Sequence, residues 1–233
     1  MARTTARYLV AGATGWNRQV FHEVMSHYPG TWRLINRPEQ LTIQRVRRFA
    51  PRYLFFLHWS WKVPDEIVNA YPCIGFHMTD LPYGRGGSPL QNLILRGHRQ
   101  TQLTAFRLTT KMDAGPVYLK RRLTLDGSAD TIYRRGSLLA VRMIRRLITG
   151  RLMAAPQRGR VVVFKRRQPE QSLIPALPTA QRLYDFIRML DADGYPHAFL
   201  SHQGFRYVFS KASRKGGRLA AQVEIMPIEQ RDS

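Results

Sequence analysis

The 233-residue chain has one cysteine, Cys73, and only 15 acidic residues against 37 Lys+Arg. A single cysteine excludes a disulfide framework and a Cys-based zinc cluster, and suits a reducing compartment. No run of apolar residues approaches the ~18 that a spanning helix needs. No membrane partner is therefore expected. The opening stretch, MARTTARYLVAGATGW, has too short an apolar run for a signal peptide, so a cytoplasmic location is the expectation. Internal repeats and low-complexity tracts are absent as well. What is present is a chain 44% hydrophobic, enough to pack a core. Its length fits one α/β domain, or one with a small appendage.

The scarcity of acids leaves a formal net charge of +22 and a pI near 11.3. Six of the basic residues are lysines (Lys62, Lys111, Lys120, Lys165, Lys211, Lys215) and the rest are arginines. They are spread along the chain, from Arg45, Arg47 and Arg48 through Lys120-Arg121-Arg122 to Lys165-Arg166-Arg167. No RNP, KH or zinc-finger pattern accompanies them. The charge reads as a solvated surface that also attracts an anionic small substrate, and a nucleic-acid partner is not expected.

Residues 7–13 read as a buried strand entering a glycine turn, Gly12-Ala-Thr-Gly15, with a helix from about Asn17 to Ser26. The full G-x-G-x-x-G is missing and no acidic residue follows at dinucleotide spacing, so this is a tight turn rather than a cofactor fingerprint. Residues 40–49 predict a basic amphipathic helix. Tyr53–Leu57 is a strand running into His58-Trp-Ser-Trp61, and Cys73–Phe76 is another. A Pro- and Gly-rich loop separates it from a helix at Leu90–Arg96. Thr101–Leu108 and Val117–Leu125 follow as strands, then a long helix over Asp130–Gly150 with Asp130 as its N-cap. This alternation predicts an α/β fold, a Rossmann-like, mostly parallel sheet flanked by helices. The composition shifts after Gly150. Residues 1–155 are expected to form the catalytic domain and 156–233 a small C-terminal α+β extension. Its elements are a strand at Val161–Lys165, a helix at Thr179–Leu190 and strands at Phe205–Phe209 and Ala220–Ile225.

The chemistry concentrates between Phe76 and Pro116. His77 ends a buried strand, and Asp113 occupies a tight Met-Asp-Ala-Gly-Pro turn after the next one. Both fall at the carboxyl edge of a parallel sheet, where open α/β proteins place their sites. A His and an Asp brought together there can exchange a proton or steer a water that does. Taken singly, such a histidine is ordinarily a hydrogen-bonded structural residue, and an aspartate before Ala-Gly-Pro a turn former.

The run Ile74-Gly-Phe-His77-Met-Thr-Asp-Leu-Pro82-Tyr-Gly-Arg85-Gly-Gly-Ser-Pro89, followed by Met112-Asp113-Ala-Gly-Pro116, resembles the formyltransferase signature. The resemblance implies transfer of a formyl group from 10-formyltetrahydrofolate to an amine, without a metal, by an Asn-His-Asp constellation. His77 and Asp113 match the histidine and aspartate. Gly75 stands where the family has its asparagine, so one oxyanion donor is either missing, leaving a slow or altered enzyme, or comes from a backbone N–H, Asn92 or His58. The folate would lie against Trp59, Trp61, Lys62 and Val63, with Met112 and Ala114 closing the other side.

Further blocks narrow the resemblance: His58-Trp-Ser-Trp61, Gly86-Gly-Ser-Pro-Leu-Gln-Asn-Leu-Ile94, Val163-Phe-Lys-Arg-Arg-Gln-Pro-Glu170, and Leu183–Asp191 with Gly194-Tyr-Pro196. They are similar to the sugar N-formyltransferase branch of pseudaminic-acid biosynthesis. That branch implies a UDP-linked 4-amino-4,6-dideoxy N-acetyl sugar as acceptor, with Arg85, Gly86, Lys165, Arg166 and Tyr195 as its contacts. It also implies a product destined for flagellar or surface glycosylation. The apolar C-terminal helix and strands offer a face for a homodimer. Two other readings remain: a methionyl-tRNA formyltransferase-like enzyme, whose +22 charge would meet tRNA phosphates, and a non-catalytic basic RNA-binding protein.

Overall fold

The computed structural model describes residues 5–228. The expected α/β architecture is present. β1 (Arg7–Ala11) pairs in parallel with β2 (Thr31–Ile35) on one side and β3 (Tyr53–Leu57) on the other, and β3 pairs in parallel with β4 (Cys73–His77). β5 is the short strand Arg85–Gly86. β6 (Gln100–Arg107) runs antiparallel to β4, and β7 (Val117–Thr124) lies beyond it. Among the described residues the main sheet has the order β2-β1-β3-β4-β6-β7. β3 and β4 are central, and Leu54 through Leu57, Cys73 and Ile74 are all buried, the near-continuous apolar pattern of strands covered on both faces.

Helices α1 (Gly15–Glu23), α2 (Ile43–Phe49) and α3 (Asp65–Ala70) connect the parallel strands. α2 shows why the chain turns helical there. Thr42 caps it, its hydroxyl accepting from the Arg45 N–H, and Ile43, Val46 and Phe49 recur at helical spacing on the buried side. Arg45, Arg47 and Arg48 face solvent. The sequence-predicted helix over 40–49 is thus shorter, with a separate 3-10 turn at Pro38–Gln40.

α4 (Pro89–Leu95) and α5 (Ala129–Thr149) complete the central segment. The α5 cap is the Ser128 hydroxyl, which accepts from the Thr131 N–H at 3.3 Å; Asp130, expected at the cap, is already inside the helix. β8 is Val163–Phe164, shorter than the strand expected at 161–165, and α6 is Ala180–Arg188. The C-terminal strands are longer than the sequence suggested: β9 (Ala198–His202), β10 (Phe205–Lys215) and β11 (Arg218–Pro227) form an antiparallel sheet in the order β11-β10-β9.

The chain divides into two compact units. The first holds the residues up to Gly86, with Thr101–Leu123 and Tyr133–Val163. The second holds Gly87–Gln100, Thr124–Ile132 and the residues from Phe164 on. Within the second, α6 packs on β10 and on α4. Arg188, 6% exposed, donates to the Leu125 and Gly127 carbonyls at 2.6 and 2.9 Å and pairs with Asp185 at 2.7 Å. That guanidinium satisfies carbonyls that would otherwise be buried without partners.

Candidate active site

His77 is the last residue of β4, and the segment after it is pinned. Thr104 Oγ1 donates to the Thr79 carbonyl at 2.6 Å, and Thr101 Oγ1 to that of Met78 at 3.3 Å. The imidazole Nε2 lies 2.7 Å from the Gly84 carbonyl. A carbonyl only accepts, so Nε2 carries a proton and Nδ1 is left for chemistry. Nδ1 faces Asp113 Oδ2 at 3.8 Å, both side chains being largely buried.

Asp113 sits in the turn between β6 and β7 in the left-handed region, at φ 49°. Its Oδ2 accepts the Gly86 N–H at 2.8 Å. The Asp-Ala-Gly-Pro sequence has a steric cause: a Cβ on Gly115 would lie 1.7 Å from the Arg107 carbonyl oxygen. The turn therefore closes against the end of β6, where the Arg107 N–H donates to the Pro116 carbonyl at 2.8 Å. His77, Asp113, Arg85 and Gly86 all belong to the first unit, and the sequence motif and the geometry meet in the His77–Asp113 pair.

At Gly75 an added Cβ would come 2.7 Å from Leu108 Cδ2 and 3.0 Å from Phe106 Cε1. The side-chain space that an asparagine would take is filled by apolar atoms of β6 and its end. Asn92, one sequence-suggested substitute, spends its amide in the second unit on the Gly87, Ser88 and Lys165 carbonyls. His58, the other, is buried beside Tyr133 and Trp16, its ring edge-on to both. Burial pushes its pKa down to about 4, so the ring is neutral at pH 7, and neither nitrogen has a protein partner.

In the expected folate loop, Trp59 and Trp61 lie with ring centroids 4.9 Å apart, Trp61 being 46% exposed. Trp59 Nε1 is buried without a partner, and Val63 packs on the core. Lys62 pairs with Asp65 at 3.1 Å. Met112 is exposed beside Asp113, and the Ala114 N–H reaches the Lys111 carbonyl at 3.4 Å. An aromatic wall with an orphaned indole donor fits a planar heterocycle rich in acceptors.

The sequence-suggested anion contacts divide between the units. Arg85 is committed within the first unit, its Nε and Nη2 donating to Gln157 Oε1 at 3.1 and 2.7 Å. Lys165, Arg166 and Tyr195 lie in the second. Gln157 is not marked by the sequence, since nothing in the periodicity of residues 153–160 singles it out. Its Nε2 donates to the carbonyls of Asp113 and Gly115, each at 2.8 Å. Among the described residues, no three His, Cys, Asp or Glu side chains cluster to hold a metal ion, and no helix is long and apolar enough to cross a membrane.

Residues 169–226 match the family described as methionyl-tRNA formyltransferase, C-terminal domain. A methionyl-tRNA formyltransferase from Lactobacillus gasseri is 30% identical over 179 residues, covering 73% of this chain and 56% of its own. A solved methionyl-tRNA formyltransferase from Clostridium thermocellum is 41% identical, with a TM-score of 0.90, covering 95% of this chain and 99% of that one. A 4-N formyltransferase from Francisella tularensis, at 12% identity and TM-score 0.66 over 94% of this chain and 97% of that one, shares the fold alone. The chain belongs to the formyltransferase family of enzymes, as the Phe76–Pro116 motif implied. It spans about half the length of the curated relatives it matches.

These similarities correct the finer expectation. The strong relatives are tRNA formyltransferases, and sugar N-formyltransferases match only at 12–14% identity. The UDP-amino-sugar acceptor, the pseudaminic-acid assignment and the flagellar product are overturned by that contrast, while the expectation of no nucleic-acid partner stands against relatives that are named for tRNA. Of the blocks that had suggested the sugar branch, Leu183–Asp191 and Gly194-Tyr-Pro196 lie inside residues 169–226, which match the methionyl-tRNA formyltransferase C-terminal domain instead.

Proposed function

We propose that the protein formylates the amino group of methionyl-tRNA, with 10-formyltetrahydrofolate as the donor. The observation that carries this is the 41% identity to the Clostridium thermocellum enzyme across nearly all of both chains, and it is supported by a His77–Asp113 pair whose facing atoms lie 3.8 Å apart. In the reaction a bond forms between the amine nitrogen and the formyl carbon, and the bond from that carbon to the folate nitrogen breaks. The amine loses one proton and the folate nitrogen gains one.

The chain's residues serve those proton movements. His77 Nδ1, freed by the Nε2 contact to Gly84, is the atom that takes the amine's proton and passes it toward the folate nitrogen. Protonated, it also offers a donor to the developing oxyanion, which matters where Gly75 supplies none from a side chain. Asp113 orients that imidazole and balances its charge, its carboxylate held by Gly86. Trp59 and Trp61 would flank the folate ring, with Met112 and Ala114 beside Asp113. Lys165, Arg166 and Tyr195 become candidates for contact with the tRNA rather than with a sugar diphosphate.

The test is direct. Purified protein, 10-formyltetrahydrofolate and methionyl-tRNA should yield N-formylmethionyl-tRNA, detected by mass after deacylation. His77→Ala and Asp113→Ala should each lower kcat by about 10²–10⁴-fold. Absence of formylated product with the wild-type chain would refute the reading, and full activity in both variants would mean the site lies elsewhere.

A further inference from the structure

Asp113 sits in the left-handed region at φ 49°, a sparsely populated conformation that persists where the surroundings hold it. Something must over-determine it. The chain supplies that from the segment after α5. Ala155 exchanges two backbone hydrogen bonds with Val117, at 2.7 and 2.9 Å, which pins the segment to the start of β7. Seven residues later the Val162 carbonyl accepts the Arg85 N–H at 3.0 Å. Gln157 lies between these anchors.

Its amide is fully used. The two N–H groups go to the carbonyls of Asp113 and Gly115, and the oxygen takes two donors of Arg85. A primary amide offers two donors and two lone pairs, so none is left over. Arg85 neighbours Gly86, whose N–H holds the Asp113 carboxylate. Gln157 thus joins the strand that grips the carboxylate to the turn that carries it.

We propose that Gln157 is a positioning residue: through the Asp113 and Gly115 carbonyls, and braced by Arg85, it holds Asp113 where its carboxylate faces His77 Nδ1. This rests on His77 and Asp113 serving formyl transfer, and it assigns Arg85 to bracing the site rather than to substrate. The amide's donor side carries the role. Gln157→Glu keeps an acceptor for Arg85 and loses both donors, whereas Gln157→Met keeps the length and loses all four bonds.

Two readouts test it. A misplacement of about 1 Å at a reacting centre can cost ~10²-fold in rate. In both variants kcat for formyl transfer should fall about 10–10²-fold while KM for the folate donor moves less than about threefold. Amide hydrogen exchange supplies a readout free of any acceptor: the Gly86 N–H should exchange faster in both variants, as in Asp113→Ala, while β1 amides such as Val10 stay protected. Wild-type kcat in Gln157→Glu, or an unchanged Gly86 amide, would overturn the assignment. If the wild type formylates no methionyl-tRNA yet Gly86 loosens in the variants, the acceptor reading fails and the clamp stands. Should Gln157→Glu unfold, Gln157→Met carries both measurements.

Discussion

His58 shows what one buried side chain costs. Its ring is neutral because burial lowers its pKa from 6.5 to about 4, and no partner offsets the loss of water. The unfolded chain, whose histidine titrates near 6.5, binds more protons than the folded one across the interval between the two values. Stability from this group is therefore complete above pH 6.5 and drains away toward pH 4, by about 3 kcal/mol at the limit. Replacing His58 by Phe, which has no proton to gain, should flatten the fall of Tm between pH 6.5 and 4.5. Parallel Tm–pH curves for the two proteins would show that another group sets the slope. Cys73, by contrast, is simply inert, its thiol pushed up to about 12 by burial, with Arg107 opposing weakly.

At the scale of elements, β4 and its neighbour β6 define how the site departs from the family pattern. Gly75→Asn would drive a side chain into Leu108 and the Phe106 ring. Overpacking of this kind typically costs ~1–3 kcal/mol, and since Leu108 Cδ2 is the flexible tip of a side chain, a loss near 1 kcal/mol is expected. Leu108→Ala added to Gly75→Asn should recover part of it, measured by denaturant midpoint. If the double variant is less stable than the sum of the singles, the contact does not govern the position. The same scale shows what the sequence could disclose. β3 and β4 were legible as uninterrupted apolar runs bounded by Pro, His and Gly. β2 was not, because Thr-Trp-Arg-Leu-Ile alternates exposed and half-buried residues at the sheet edge and offers no apolar run. The β10–β11 hairpin was read too short, since Lys211-Ala-Ser-Arg-Lys215 has no apolar alternation and the register shifts between Ser210 and Ser213. His77 and Asp113 were readable from a motif that needs both. Gln157 was not, because its role depends on two carbonyls more than forty residues away, which no local pattern encodes.

For the molecule as a whole, the charge of +22 has a different meaning under the proposal that methionyl-tRNA is the acceptor. Its spread along the sequence argued for a bland surface, but distance in sequence does not measure distance in a folded chain. Arg45, Arg47 and Arg48 share the exposed side of α2, for example. If these and other cations neutralise phosphates, affinity for methionyl-tRNA must fall with salt through counterion release. Two or three such contacts predict a loss of about tenfold or more in affinity between ~50 and ~200 mM salt. Fluorescence titration across that range would measure it, and an affinity indifferent to salt would return the charge to surface drift.

The His77 and Asp113 side chains are each held by a main-chain atom, the Gly84 carbonyl and the Gly86 N–H. Both glycines sit at positive φ, 74° and 99°, where a side chain is strained. Because a peptide group is common to every amino acid, no ordinary substitution deletes these partners; only proline at 86 would take away a donor. Besides the side-chain clamp of Gln157, the pair is therefore vulnerable through the length and path of this loop. An insertion or deletion between Pro82 and Gly87 would move both holds at once, so over evolutionary time this loop should tolerate spelling changes at its exposed positions while keeping its count of residues fixed.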